Sequence, residues 1–222
     1  MSRIGPREPG TVGLRPRRSL ADLLWLANTR HGPGGHWFAR VVVDEGDHDH
    51  LASGSTAVRY LADHKVDLPA AEPTAGQLRA LDEIRTMVRS LLDPRAGWSP
   101  AVRALLRRAR FGLDEDGRLA AEGPGWDGFI GDLLLPLVRL VEVRDRLRIC
   151  GNPHCRLIFL DLSRNRARLW CDDGGCGNRD RVRRFRSRQR DGSAGPGAGP
   201  RVGSGVSPEV GPEVGLASGP RA

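Results

Sequence analysis

The sequence predicts an α+β chain: a mostly helical N-terminal domain with a small hairpin or sheet, then a compact knuckle, β-hairpin and helix. Three observations predict this order. Apolar residues recur at helical spacing through residues 78–92 and again before residue 147. Short β-branched or turn-flanked runs stand at Phe38–Val43 and Phe111–Ala120. All four cysteines, Cys150, Cys155, Cys171 and Cys176, fall inside one Arg-rich stretch.

Composition narrows the class. The chain has 222 residues, 39% apolar but only 5% aromatic, so Leu, Val and Ala must build the core. That length fits one ordinary domain plus a small one. No apolar run reaches the ~18–20 residues that span a bilayer, so no membrane partner is expected. The formal charge is +8, carried by 34 Arg and a single Lys, Lys65. Such an Arg excess can reflect coding bias, so its location matters more than its size. Residues 150–190 carry +7 and residues 1–18 carry +4, while the stretch between them is slightly acidic. A localised positive field suits an anionic polymer.

The organisation reads as four segments. Residues 1–18, rich in Pro, Gly and Arg, are expected to be a flexible basic arm. Residues 19–149 form the α-rich domain, residues 150–190 the cysteine module, and residues 191–222 a disordered tail. That tail holds 9 Gly, 5 Pro and 4 Ser, with Pro-Glu-Val-Gly repeated, too little apolar surface to offset ordering entropy. Arg17-Arg18 before Ser19–Ala27 superficially resembles a signal sequence. Asp22 interrupts its apolar stretch, and Asn28-Thr29-Arg30 follows where small residues would be needed. The expected compartment is therefore cytoplasmic and reducing, which disfavours disulfides.

Within the α-rich domain, Ser19 should cap a helix through about Ala27. His31-Gly32-Pro33-Gly34-Gly35 breaks it, with His36 beyond, and a plain turn is the expectation. Phe38–Val43 reads as a strand, and Asp44–His50 as a polar loop. Asp47-His48-Asp49-His50 could hold a metal, but neighbours on one loop rarely converge on one ion, so a solvated loop is expected. A helix follows over Leu51–His64. Thr74 and Gln77 form a capping box for the next, Ala75–Leu92. Ser99-Pro100 opens another through about Arg110, and Asp116-Gly117 turns a hairpin. A long apolar helix, from about Trp126 or Pro136 to Leu147, then delivers the chain into Cys150.

The cysteine spacing is C-x4-C-x15-C-x4-C. Two short-spaced pairs about 15–20 residues apart suit a closed tetrahedral sulfur site. One structural zinc ion is expected, since four Cys leave no position for water. Iron–sulfur ligation, buried thiols, or His154 replacing one cysteine are the alternatives. Arg156–Asp161 and Ala167–Trp170 are expected to pair as a hairpin between the two cysteine turns. Cys176 then lies where a helix begins, which makes the module a treble-clef-like ribbon. Without metal it should not fold.

The helix after Cys176 is the candidate nucleic-acid-binding element. At 100° per residue, Arg179, Arg183, Arg186 and Arg190 share one face, and Arg181, Arg184 and Arg188 another. Val182 and Phe185 lie between the rows and are expected to dock on Phe159, Leu157 or Trp170. Asp180 and Ser187 form a slim opposite ridge. Two Arg rows flanking such a ridge suit a helix lying in a groove, each row facing one phosphate strand.

These residues resemble a known family. Cys176-Gly177-Asn178-Arg179, within F-L-D-L-S-R-N-x-x-R-x-W-C-x-x-x-x-C-G-N-R, resembles the CGNR zinc finger. Leu26-Ala27-Asn28-Thr29-Arg30, Asp49-His50-Leu51 and the Leu78–Leu92 helix resemble its usual companion, the ABATE domain. Together the likeness covers most of residues 20–190. It implies a bacterial, stress-induced transcription regulator that binds DNA. Asp180 departs from the pattern, which has a small residue there. By position in the motif, Gly177 permits a tight exit from the metal turn and Asn178 caps the helix. Arg179 pairs with Asp161 or Asp172, or reaches a phosphate.

No P-loop, nucleophile elbow or dinucleotide fingerprint is present, so no enzyme activity is expected. The expectation is a DNA-binding transcription regulator. A zinc-stapled RNA- or protein-interaction module without duplex preference is the alternative. A homodimer follows as the generic state of a symmetric regulator, and an unidentified small-molecule effector of the N-terminal domain would complete the scheme.

Overall fold

The computed structural model describes residues 16–31, 48–153 and 155–192. The strand expected at Phe38–Val43, the Gly32–Gly35 turn, His36, His154 and most of the arm and tail lie outside the described residues. The chain divides into two units, residues 1–184 and 185–222.

The first unit is built on helices. α1 spans Leu20–Ala27, α2 Gly54–Asp63, α3 Ala75–Ser90, α4 Pro100–Arg108 and α5 Gly125–Glu142. Ser19, Ser53 and Thr74 each close a capping box at the start of α1, α2 and α3, which satisfies backbone donors the first turn leaves open. Pro100 occupies the first turn of α4. The apolar stripes of α1, α3 and α5 meet around Leu23, Leu26, Leu81, Ile84, Leu133 and Leu137, all essentially inaccessible. As expected from so few aromatics, Leu dominates this core.

Among the described residues, three two-stranded antiparallel sheets accompany these helices. β1 (Arg30–His31) pairs with β2 (His48–Asp49), where the sequence suggested a polar loop. β3 (Phe111–Leu113) pairs with β4 (Leu119–Ala121). Gly117, at φ +71°, makes their turn, matching the Asp116-Gly117 signal. Gly131 on α5 lets β4 approach closely, since a Cβ there would come within 2.5 Å of Ala121. At the end of the expected arm, the Arg17 N–H donates to the Leu119 carbonyl at 2.9 Å, and Arg18 is buried over the Phe129 ring.

The third sheet corrects two expectations. α5 stops at Glu142, and a short 3-10 turn at Arg144–Arg146 leads into β5 (Leu147–Ile149). β5 pairs with β6 (Ile158–Leu160) in the register Leu147 to Leu160 and Ile149 to Ile158. The hairpin therefore encloses the first two cysteines, not the segment between the cysteine pairs. Residues 167–170 form no strand. The apolar run before residue 143 is helix as expected, and the three-residue segment Leu147–Ile149 beyond it is too short to show a period, so its pairing with β6 defines it.

Alternation along β6 ties two cores together. Ile158 and Leu160 face the helical core, whereas Leu157 and Phe159 face the cysteine cluster. The buried Asn28, just past α1, binds the same strand. Its amide donates to the Ile158 carbonyl at 2.9 Å and accepts from the Ile158 N–H at 2.8 Å. The Tyr60 hydroxyl donates to the Asn28 carbonyl. Arg89 on α3 donates to the carbonyl of Ala27. Arg85, buried, reaches Asp49 through both terminal nitrogens, at 2.5 and 2.9 Å, and also pairs with Asp82. The N-terminal motifs singled out in the sequence thus form one polar network at the end of α1.

Two predictions follow from this network. Asn28→Ala orphans both backbone groups of Ile158, at about 1–3 kcal/mol for each buried group left unsatisfied; equilibrium denaturation should show that loss. Burial works against the Asp49 carboxylate, but hydrogen bonds from Arg85 and Leu51 outweigh it and hold its pKa below the ordinary value. A depressed folded-state pKa stabilises above the unfolded value of about 3.9 and loses that contribution as pH falls through the folded value. The stability advantage of wild type over Asp49→Asn should be constant above about pH 4–5 and shrink at lower pH.

Candidate metal centre

The four cysteine sulfurs lie within 4.8 Å of one another. Cys155 and Cys171 are 3.7 Å apart and Cys171 and Cys176 3.8 Å. A tetrahedron with zinc–sulfur bonds of about 2.3 Å has edges of about 3.8 Å. The sulfurs thus stand at the corners of a zinc site, too far apart for disulfides. No other grouping of metal-ligating side chains occurs among the described residues.

Each corner has a local cause. Cys150 ends the hairpin strand β5, and its N–H donates to the Leu157 carbonyl at 2.8 Å. The Asn152 carbonyl accepts from the N–H groups of Cys155 and Arg156, which turns the chain back; Arg156 adopts φ +51° to leave that turn. At the other end, Asp172 caps a wide π-type turn over Asp173–Gly177, and its side chain accepts from the Gly175 N–H at 2.5 Å. α6 (Asn178–Gly192) continues from it without a break. Asn178 is therefore already helical, at φ −65° and ψ −41°, and the capping role falls to Asp172. The reason is that the metal turn itself winds into the helix.

The two turns repeat one pattern the sequence reading missed: Cys150-Gly151-Asn152 and Cys176-Gly177-Asn178. Trp170 explains the glycines. A Cβ at Gly151 would lie 3.0 Å from Cζ3 of the indole, and one at Gly177 3.0 Å from Cδ1. The ring fills the space between the two turns, and neither turn has room for a side chain. Asn152 is also part of the site: its amide donates to the Cys176 sulfur at 3.7 Å. The doubled Cys-Gly-Asn was the available signal.

Charge decides what the cluster can hold. Hydrogen bonds from Cys155 and Cys171 hold the Cys150 thiol well below its ordinary pKa. The same proximity pushes Cys155 and Cys171 up, with Cys150 the largest contributor to each. Thiolates packed this closely repel one another, and a divalent cation among them relieves that repulsion. The donor set fits one structural zinc ion, with four sulfur ligands and no open position. Its share of folding is large. Burying Leu157 or Phe159 contributes about 1.5–3 kcal/mol each, whereas structural zinc binding contributes on the order of 10–16 kcal/mol.

The loop between the cysteine pairs is organised by Asp161. This carboxylate is buried and accepts from the backbone N–H groups of Ser163 and Arg168, at 2.9 and 3.0 Å. Arg168 donates to the Trp170 and Cys171 carbonyls at 2.8 and 2.7 Å and lies over the Phe159 ring. Arg166 pairs with Asp145.

α6 presents its arginines outward. Arg179, Arg181, Arg183 and Arg184 are all exposed, as are Arg186, Arg188 and Arg190 beyond the unit boundary. Two expectations change. Val182 and Phe185 are 40% and 58% exposed, so this stripe is not a docking face. Asp180 is only 6% exposed and pairs with Arg183 and Arg184 at 2.6 Å each. It does not form an outward ridge. Instead, it holds two of the candidate phosphate contacts by their heads. Arg181 donates to the Asp173 carbonyl at 3.1 Å.

The site predicts one zinc per chain by elemental analysis of the purified protein. Cys176→Ser should lower that content to well below one, and chelation should remove the circular-dichroism signal of α6 while leaving most of the α1–α5 signal. Retention of full zinc content by the variant would contradict a four-sulfur site.

Comparison with known proteins agrees with this geometry. None of the curated proteins matches the chain. The family model of the CGNR zinc finger matches residues 146–189, which takes in β5, all four cysteines and most of α6.

Proposed function

We propose that the protein is a DNA-binding transcription regulator. In this reading a structural zinc ion aims the arginine-bearing α6 at the DNA backbone and groove. One observation carries the reading: a run of seven exposed arginines on a helix that winds directly out of the metal turn. A positive surface of this kind suits phosphates, and a helix is the element that a major groove admits. The likeness of residues 146–189 to a zinc finger supports it. Asp180 tempers the charge, since Arg183 and Arg184 must loosen from it or share it when they meet a phosphate. Residues 19–149 would act as an ABATE-like companion that dimerises or senses a small molecule, with no catalytic role of its own.

Fluorescence anisotropy of the zinc-loaded protein with duplex DNA across a salt series tests this. If about five arginines meet phosphates, affinity should fall with salt at a log–log slope of about −4 to −5. A slope near zero, or a preference for structured RNA over duplex in direct competition, would replace this reading with an RNA- or protein-interaction module.

A further inference from the structure

The surface beside α6 carries a second feature of the same chemistry. The loop from Ser163 to Trp170 and the first part of α6 enclose a groove of about 450 Å³. Arg164, Arg168 and Arg181 line it, against a single acidic residue, Asp173. Trp170 and Leu169 supply its apolar wall. Leu169 is 63% exposed, although it sits in a loop whose backbone is pinned on both sides: the Arg168 N–H is held by Asp161, and the Leu169 carbonyl accepts from the Gly151 N–H at 2.8 Å. The leucine is thus held out in solvent by a rigid loop.

Resting on the nucleic-acid reading above, we propose that this groove seats a nucleic-acid strand beside α6. Arg164 and Arg181 meet its phosphodiesters, and Leu169 packs on its sugars or base edges. The lining divides the work. Arg168 is committed to the Trp170 and Cys171 carbonyls and to the face of Phe159, so it supplies field and rigidity. Arg164 is exposed at the rim. Arg181 is anchored by the Asp173 carbonyl, on the groove wall. A three-to-one excess of positive lining selects a polyanion, and an apolar side chain amid arginines is how proteins wedge against sugars and bases while holding the backbone. The zinc ion places both halves, because Trp170 fills the space between the two metal turns.

The test uses the full zinc-loaded chain, labelled 20-mer duplex, single-stranded DNA and single-stranded RNA, with inorganic phosphate as competitor. Arg164→Ala should weaken binding about 3–10-fold at low salt and reduce the salt slope by about one. Leu169→Ala should weaken binding by a similar factor with the slope unchanged, because it removes packing and no charge. Both substitutions are at exposed positions, and zinc content verifies that each variant is folded. Arg188→Ala reports on α6 independently. If wild-type protein binds none of the three nucleic acids, the proposed function falls and this inference with it. If wild type binds and Arg188→Ala weakens it, but Arg164→Ala and Leu169→Ala do not, the groove is not part of the interface and this inference falls alone. Displacement of the strand by millimolar phosphate would likewise overturn it, marking the groove as a small-anion site.

Discussion

Four sulfurs brought within 4.8 Å of one another set the terms for the C-terminal part of this chain. Thiolates at that distance repel one another strongly. One zinc ion removes the conflict and makes each cysteine a fixed corner. The two turns then face each other across Trp170, whose indole needs both glycines. α6 begins where the second turn ends. The direction of the arginine helix at its start is therefore a consequence of metal geometry, more than of its own apolar contacts.

The metal site is fused to the helical core through the β5–β6 hairpin. β6 alternates its side chains between the two cores, and Asn28 binds its backbone much as a neighbouring strand would. Asn28 is itself held between α1 and Tyr60, and the next residues reach Arg85 and Asp49. Residues far apart in sequence, 28, 49, 85 and 158, thus share one polar network, buried except at its Asp49 edge. Polar groups at that depth are satisfied only together, which explains why short, unremarkable N-terminal motifs sit where the two cores join.

The arginines divide into two populations. Arg18, Arg85 and Arg168 are taken up by aromatic faces, carboxylates and carbonyl groups within the fold. Those of α6 are exposed, with Arg183 and Arg184 paired to Asp180 and Arg181 bonded to the Asp173 carbonyl. Total charge says nothing about this division. A planar guanidinium with several donors serves as well for tying off carbonyls as for meeting phosphate, and the partner proposed above would meet exposed arginines such as those of α6 and Arg164.

Much was legible without coordinates. The helices announced themselves through the Ser19 cap, the Thr74-Gln77 capping box, Pro100 and periodic Leu, because these signals are local and each helix satisfies its own backbone. The zinc ligands were legible because tetrahedral thiolate chemistry demands paired spacing. The Asp116-Gly117 turn was legible because few sequences tolerate its geometry. Three things were decided only by the tertiary structure. β5, only three residues long with an arginine in the middle, shows no period of its own, and its pairing with β6 defines it. Asp172, not Asn178, closes the metal turn, because that turn and the helix are continuous. Asp180 turned inward onto Arg183 and Arg184, and Val182 and Phe185 stayed exposed, because a helix wheel states which residues share a face but not which face the rest of the chain covers.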